Sequence, residues 1–276
     1  MRAVAARADE HGFATLWCGE HIVMIDSPTS PYPYSADGKI AVPPDTDWLD
    51  PMLGLSFIAA HTRRITLATG VLLLPEHNPL IVAKQAATLD VLSGGRFTLG
   101  VGVGWSAEEF EALGVPFARR GARTTEYIAA LRRVWASDVV SFYGEFIRFH
   151  EVRVYPKPVR GRKVPIFVGG TTDAALRRVA MIGDGWYGFN LAAAEVADRV
   201  DALAAYCRER DRDPRKVRVA VSLRDGGPEL LPELSSAGVA ELVVVAAPPA
   251  EPAAAAAWVD ELAERWIRAP AGRGAT

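Results

Sequence analysis

Two hydrophobic periodicities alternate along this chain. Short runs of β-branched and apolar residues are typical of buried strands, and longer segments with apolar residues three and four positions apart are typical of helices. Outside one hairpin, principal strands are predicted to begin near residues 15, 65, 97, 165, 185, 217 and 241. Helices are predicted at 2–11, 50–61, 78–89, 106–112, 121–136, 173–182, 194–210, 229–237 and 253–267. This alternation favours a parallel sheet with helical crossovers.

The strand count suggests a particular α/β architecture, the TIM (β/α)₈ barrel. Such a barrel has eight strands and opens with a strand, whereas this chain shows seven and opens with a helix. We therefore expect the first barrel strand to be missing. An open doubly wound sheet is the alternative that the pattern leaves open. We predict one barrel domain over residues 1–268, a β-hairpin insertion at about 139–154 and a flexible tail at 269–276.

Composition mainly excludes other classes of protein. The 276 residues are 50% apolar, which supplies a large core, and 31 basic residues face 33 acidic ones. That balance gives no electrostatic reason to expect a nucleic-acid partner. No run approaches the ~18 apolar residues of a membrane span, and residues 1–10 lack the apolar block of a signal peptide. We expect a cytoplasmic protein. No metal site is predicted, because no metal-ligand spacing is present.

Candidate chemistry follows the predicted strands, at the end of a barrel where active sites lie. Glu20 and His21 come directly after the first visible strand. A carboxylate beside an imidazole can orient the ring or raise its pKa, which suits acid–base chemistry, although a structural helix-cap pair is the alternative. The loop at 26–47 is rich in Pro, Ser, Asp and Tyr, and loops of this length are usually functional or disordered.

Glycines mark three further strand ends. Gly70 lies between Thr69 and Val71, where a backbone could approach a flat ring, or where a plain bulge could stand. Alternation of glycine at 100, 102 and 104 leaves one face bare and could make room for a cofactor chain. The segment 169–172 leads directly into a helix, whose free N–H groups could bind an anion or simply be capped by Thr172.

Several of these segments together resemble one known family. The most specific is residues 92–105, LSGGRFTLGVGVGW, and it is joined by LWCGEH at 16–21, Asn78-Pro79, PIFVGG at 165–170 and GDGW at 183–186. The chain resembles the luciferase-like monooxygenase superfamily, and within it the branch of oxidoreductases that use the deazaflavin coenzyme F420. The resemblance runs from Met1 to about Val245.

The resemblance implies a role for each matching segment. It implies that His21 and Glu20 are catalytic, with His21 beside the deazaflavin ring and Glu20 orienting it. The implied cofactor-binding residues are Thr69, Gly70 and Val71 behind the ring, Gly102, Gly104 and Trp105 along the ribityl–phosphate chain, and Gly169, Gly170, Thr171 and Thr172 at the phosphate. Family members that act on sugar phosphates have a glutamate where this chain has Trp105, which argues against that substrate.

The implied activity is hydride transfer between C5 of F420 and a small organic substrate. The loop at 26–47, with Tyr32, Tyr34 and Trp48, would cover that substrate. Two alternatives remain: an FMN-dependent two-component monooxygenase, and a flavin-binding or structural barrel without catalysis. Family members commonly form homodimers, so a homodimer is expected here.

Overall fold

The computed structural model describes residues 1–268, and the predicted tail at 269–276 lies outside the described residues. The strands of the main sheet are β1 (Thr15–Cys18), β2 (Thr66–Thr69), β3 (Leu72–Leu73), β4 (Phe97–Gly102), β7 (Ile166–Gly169), β8 (Gly185–Leu191), β9 (Arg218–Leu223) and β10 (Glu241–Leu242). Strands β5 (Val140–Tyr143) and β6 (Arg148–Val152) form the predicted antiparallel hairpin, in which Tyr143 lies opposite Arg148.

The main sheet is parallel, and its order is β1-β2-β4-β7-β8-β9-β10, with β3 beside β4. Strands that follow one another in the chain are therefore neighbours in the sheet, as in a barrel. A doubly wound sheet would reverse its strand order at a switch point, so that alternative is wrong. The predicted α/β barrel-type fold is confirmed.

Helices cover the outside of the sheet, close to their predicted positions. They are α1 (Arg2–His11), α2 (Pro51–Ala59), α3 (Pro79–Leu92), α4 (Ala107–Ala112), α5 (Arg120–Ala136), α6 (Asp173–Ile182), α7 (Ala193–Arg208), α8 (Leu231–Ser236) and α9 (Pro252–Trp266). The predicted start of α3 is confirmed, because the Asn78 side chain accepts a hydrogen bond from the N–H of Leu80 and Pro79 is the first helical residue. The segment predicted as a helix at 229–237 begins instead with a 3₁₀ turn, Pro228–Leu230.

The sheet curls until its two edge strands face each other. Trp17 in β1 donates from Nε1 to Oε1 of Glu241 in β10 at 2.7 Å, and α1 packs against α9 outside this seam. Within residues 1–268 no strand lies between β10 and β1. The sheet is thus a curled, incomplete barrel, which agrees with the expected absence of one strand.

The strand predicted at 65–73 is split by a bulge. Leu67 pairs with Phe97 in β4, and Leu72 pairs with Val101. The separation of five residues from Leu67 to Leu72 therefore matches a separation of only four residues in β4. One extra residue is thereby accommodated, as in a β-bulge. The Gly70–Val71 peptide bond within it is cis. The bulge lies where the sequence predicted it, although the single continuous strand was wrong.

Two apolar clusters stabilise this arrangement. The larger lies between sheet and helices and includes the fully buried Trp135 and Trp186. The smaller lies inside the curl, where the Trp17 ring stacks on Tyr187 with centroids 4.9 Å apart. This inner cluster also contacts Val71 of the bulge, so it forms a packed floor beneath the carboxyl ends of the strands.

Candidate active site

Val71 joins three strand ends at the carboxyl edge of the sheet. A Cβ built on Gly102, at the end of β4, would lie 2.6 Å from Cγ2 of Val71. A Cβ built on Gly169, at the end of β7, would lie 2.9 Å from Cγ1 of the same side chain. Approaches this close require glycine at both positions. The bulge, β4 and β7 therefore meet where barrel active sites lie.

The glycines make room for protein atoms, which differs from the expectation that their bare face receives a cofactor chain. Val71 fills the space beside Gly102 and Gly169. At Gly104, where φ is 76°, a Cβ would lie 2.6 Å from Cε2 of Phe110 and 2.9 Å from Oε1 of Glu76. What these segments offer a ligand is therefore their backbone.

Thr69 is the predicted cofactor contact that does not reach the cavity. Its side chain is fully buried, and its Oγ1 donates to the carbonyl oxygen of Gly100 at 2.6 Å. This bond fixes β2 to β4 directly before the bulge. The role assigned to Thr69 is thus corrected from cofactor contact to support of Gly70 and Val71, which do line the cavity.

A cavity of about 1800 Å³ opens at this edge of the sheet. It brings together the other predicted site residues: Glu20, His21, Gly70, Val71, Gly102, Gly104, Trp105, Gly169, Gly170, Thr171 and Thr172. Typical ligand cavities measure about 300–1,000 Å³. This one is larger because it continues through the seam between β10 and β1 to Ala8 of α1 and Trp258 of α9.

His21 is held by Glu109 of α4. Its Nδ1 lies 2.9 Å from Oε2 of Glu109, and the two side chains are 10% and 2% exposed. Oε1 of Glu109 also accepts the backbone N–H of Ile22 at 2.8 Å, so one carboxylate fixes both the ring and the chain beside it. Within the described residues Nε2 has no partner, which leaves it available to a ligand.

The prediction that Glu20 orients His21 is therefore wrong. Oε2 of Glu20 accepts the N–H of Leu73 at 2.6 Å and lies 3.0 Å from Nε2 of His77. The buried N–H of Leu73 requires an acceptor, and the Glu20 carboxylate supplies it. Glu20 thus connects the end of β1 to β3, and its carboxylate already contacts Leu73 and His77 in the absence of a ligand.

A third carboxyl group, that of Glu76, is close to both of these pairs. It is buried, and neither of its oxygens has a hydrogen-bond partner in the described part of the chain. Burial first, and then the nearby carboxylates of Glu109 and Glu20, raise the pKa of Glu76 to about 9. The Glu76 carboxyl is therefore neutral at pH 7, which avoids three like charges beneath the cavity.

The opposite end of the cavity is cationic. Thr172 caps α6 by accepting the N–H of Ala175 at 3.3 Å, and the N–H groups of residues 171–174 have no acceptor within residues 1–268. Arg120 and Arg178 line this cavity, and burial lowers the pKa of both guanidinium groups. Neither has an ion-pair partner in the part of the chain that the structure describes. Such a set of donors is suited to a phosphate group.

Trp186 of β8 supports this turn from the core. The indole is fully buried, and its Nε1 donates to the carbonyl oxygen of Gly170 at 2.7 Å. The turn at Gly170–Thr172 is therefore held from below by the core.

Comparison with known proteins gives this arrangement a family. Residues 1–224 match the protein family that is described as luciferase-like monooxygenase. The chain belongs to this family. An uncharacterized protein of Mycobacterium tuberculosis is 39% identical to this luciferase-like chain over 189 residues, which are 67% of this chain and 66% of the relative.

Two further proteins to which the chain is similar differ from each other in their cofactor. An FMNH₂-dependent dimethylsulfone monooxygenase of Pseudomonas putida is 36% identical over 133 residues, 47% of this chain and 36% of the relative. The solved structure of an F420-dependent secondary alcohol dehydrogenase with an F420–acetone adduct has a TM-score of 0.66 at 22% identity, covering 80% of this chain and 63% of that one. That likeness shows the fold. The chain spans less than two thirds of the length of each of these relatives.

Four residues of this site were not predicted from the sequence: Glu76, Glu109, Arg120 and Arg178. A signal existed for Glu109, since it lies three residues after Ser106 and was open to a capping-box interpretation. Ser106 does cap α4, but the Glu109 carboxylate reaches His21 instead of the helix start.

None of the helices in residues 1–268 has the length and hydropathy that a bilayer span requires.

Proposed function

We propose that this luciferase-like protein is an F420-dependent oxidoreductase that transfers hydride between the cofactor and a small organic substrate. The observation that carries the proposal is the placement of His21, oriented by Glu109, in the same cavity as a cationic turn that suits a phosphate. At one end of the cavity the imidazole of His21 can bind a proton, and at the other end the cationic turn can bind the anionic tail of a cofactor.

The residues present fit a flavin-type cofactor with a phosphorylated side chain. Arg120, Arg178 and the free N–H groups at the start of α6 would hold the phosphate, since neither arginine has an acidic partner within the described residues. Asp173, the first residue of α6, does not compete for them, because its carboxylate lies 3.1 Å from Arg199. Gly70 and Val71 would lie behind the ring system.

When bound, F420 supplies a carbon atom that accepts or donates hydride. Nε2 of His21 would hold or move the proton that accompanies the hydride at the substrate oxygen. Glu109 would keep the imidazole in one orientation, since its carboxylate lies at Nδ1. The loop residues Tyr32, Tyr34 and Trp48 would keep water from the reacting atoms.

A second candidate is an FMN-dependent monooxygenase. The observation that favours it is the 36% identity to the FMNH₂-dependent enzyme of Pseudomonas putida. The cationic turn would hold the phosphate of FMN equally well, so the phosphate end alone does not separate the two candidates.

Titration of the purified protein with F420, and separately with FMN, tests the proposal. The fluorescence of each cofactor reports its binding. We expect the dissociation constant for F420 to be at least about tenfold below that for FMN, a difference of about 1.4 kcal/mol. Tighter binding of FMN would support the monooxygenase. Binding of neither would overturn both candidates and favour a barrel without catalysis.

A further inference from the structure

A continuous set of aromatic rings lines the mouth of the cavity. The Trp105 ring lies 6.1 Å from His21 and 5.2 Å from Tyr32, and the Tyr34 ring lies 5.5 Å from Tyr32 and 5.0 Å from Phe189. The angles between neighbouring planes range from 69° to 85°. The wall therefore presents ring faces and ring edges alternately, and both are surfaces on which another aromatic ring packs favourably.

Two hydroxyl groups provide the polar part of this wall. The side chains of Tyr32 and Tyr34 line the cavity, and neither hydroxyl has a hydrogen-bond partner within residues 1–268. Burial raises the pKa of Tyr32 to about 12, and it also raises the pKa of Tyr34. Both phenols are therefore neutral and can donate to, or accept from, an uncharged oxygen group of a ligand.

The loop that carries these tyrosines is fixed before any ligand binds. The Asn190 side chain donates to the carbonyl oxygen of Tyr34 at 2.8 Å, and the N–H of Tyr32 donates to the carbonyl oxygen of Gly38 at 2.7 Å. Oε1 of Glu108 accepts the N–H of Thr29 at 2.7 Å. A preorganised wall discriminates between ligand shapes, because little ordering is left to occur on binding.

We infer that this mouth selects a planar aromatic substrate that carries a neutral hydroxyl or carbonyl oxygen. The inference rests on the proposed function and names its substrate class. The ring of the substrate would pack among Tyr32, Tyr34 and Trp105, and its oxygen would meet the free phenols or Nε2 of His21. Lys39 is the charged residue that this loop brings to the cavity, and it is exposed at the rim.

Three probes of one carbon skeleton test the inference. They are 2-naphthol, its saturated counterpart decahydro-2-naphthol, and the anion 2-naphthoate, each titrated by calorimetry into the full chain with and without excess F420. We expect 2-naphthol to bind at least tenfold more tightly than either of the others in the presence of F420. Equal affinity for the saturated alcohol, tighter binding of the anion, or no binding of 2-naphthol would overturn the inference.

Two variants connect the result to the wall. Tyr34→Phe keeps the ring and removes the hydroxyl, and we expect it to weaken 2-naphthol binding about fivefold. Tyr34→Leu removes the ring, and we expect it to abolish the preference for the aromatic probe. Tyr143→Phe, at an exposed tyrosine of the hairpin, is the matched control and should change nothing. Unchanged probe binding by Tyr34→Leu would contradict the inference.

The probe series and the cofactor titration can each reject one hypothesis without rejecting the other. If F420 does not bind but the protein still prefers 2-naphthol, the proposed function is wrong and the aromatic mouth stands. If F420 binds and all three probes bind alike, the proposed function stands and the substrate class is wrong.

Discussion

His21 and Glu109 form a close pair although 88 residues separate them in the chain, with 2.9 Å between Nδ1 and Oε2. The carboxylate is almost completely buried, and the second ring nitrogen, Nε2, has no hydrogen-bond partner within the described residues. A buried carboxylate that orients a histidine is a recurrent device for holding one tautomer and supporting the imidazolium.

If Glu109 acts through His21, the two residues should not contribute independently. We expect His21→Ala to lower turnover about 100-fold, within the range typical of a lost acid–base group, and to change F420 affinity less than about threefold. We expect Glu109→Gln to lower turnover about tenfold, and the double variant to be no worse than His21→Ala. Turnover can be followed by the change in absorbance as reduced F420 transfers hydride to a quinone, which serves as an artificial electron acceptor and becomes the hydroquinone.

Glu111→Gln is the control for this cycle, since Glu111 is exposed on the same helix. Additive losses in the double variant would show that Glu109 does not act through the ring. Unchanged turnover in His21→Ala would remove His21 from the mechanism altogether.

Arg178 should matter for cofactor binding and not for folding. Its guanidinium is partly desolvated without a carboxylate partner in the described part of the chain, which is costly to the free protein. We expect Arg178→Met to weaken cofactor binding at least about tenfold, or 1.4 kcal/mol, and to leave the free energy of unfolding the same or higher. Titration and urea unfolding measure the two quantities.

The neighbouring Arg177 provides the matched control. It is exposed on the same helix and lies 3.6 Å from Glu209. Arg177→Met should leave cofactor affinity unchanged. An equal loss of affinity in both variants would indicate a general effect of charge and would contradict a specific role for Arg178.

Glu76 should make stability depend on pH. Its pKa is about 9 in the folded chain and 4.5 ordinarily, so between these values the unfolded chain binds fewer protons than the folded one. The free energy of unfolding therefore falls as pH rises through this window. Glu76→Gln carries no charge at any pH, and we expect it to flatten this fall between pH 5 and 9.

Because Gln needs no proton to be neutral in the folded chain, the free energy of unfolding of Glu76→Gln relative to the unsubstituted chain should be higher at pH 8 than at pH 6, by roughly 2–3 kcal/mol. Urea unfolding of both proteins at pH 6 and pH 8 measures the difference. Stability curves that run parallel over this range would show that Glu76 is not held neutral.

Trp186→Phe should loosen the turn that we propose holds the cofactor phosphate. The substitution removes the hydrogen bond to Gly170 and part of a fully buried side chain, so we expect a loss of about 1–3 kcal/mol of stability and weaker cofactor binding. Trp135→Phe is the comparison, because that indole is also fully buried and donates to Ala83 at 3.0 Å. It should cost similar stability without changing cofactor affinity.

Much of this fold was predictable because local signals agree with it. Asn78-Pro79 fixes the start of α3, and the glycine-rich strand ends mark where segments approach one another. The close contacts of Val71 with Gly102 and Gly169 explain why those ends needed glycine, although the glycine pattern predicted space for a ligand and not for a side chain.

The partners of charged residues were not predictable in the same way. Glu20 is adjacent to His21 in sequence, and that adjacency suggested the wrong pair. The actual pairs, Glu20 with His77 and Glu109 with His21, depend on where α4 and the bulge cross the ends of the strands. Arg178 and its neighbour Arg177 are the same type of residue. Only the fold places Arg178 at the cavity and Arg177 at the solvent-exposed surface.

Glu108 and Glu109 are consecutive residues of a helix six residues long. The first accepts hydrogen bonds from Thr29 and Ser30 of the loop at the mouth, and the second holds His21. One helical turn therefore fixes both the loop at the mouth and the orientation of the imidazole. A substitution that displaces this turn is thus expected to disturb the shape of the entrance and the position of the histidine together.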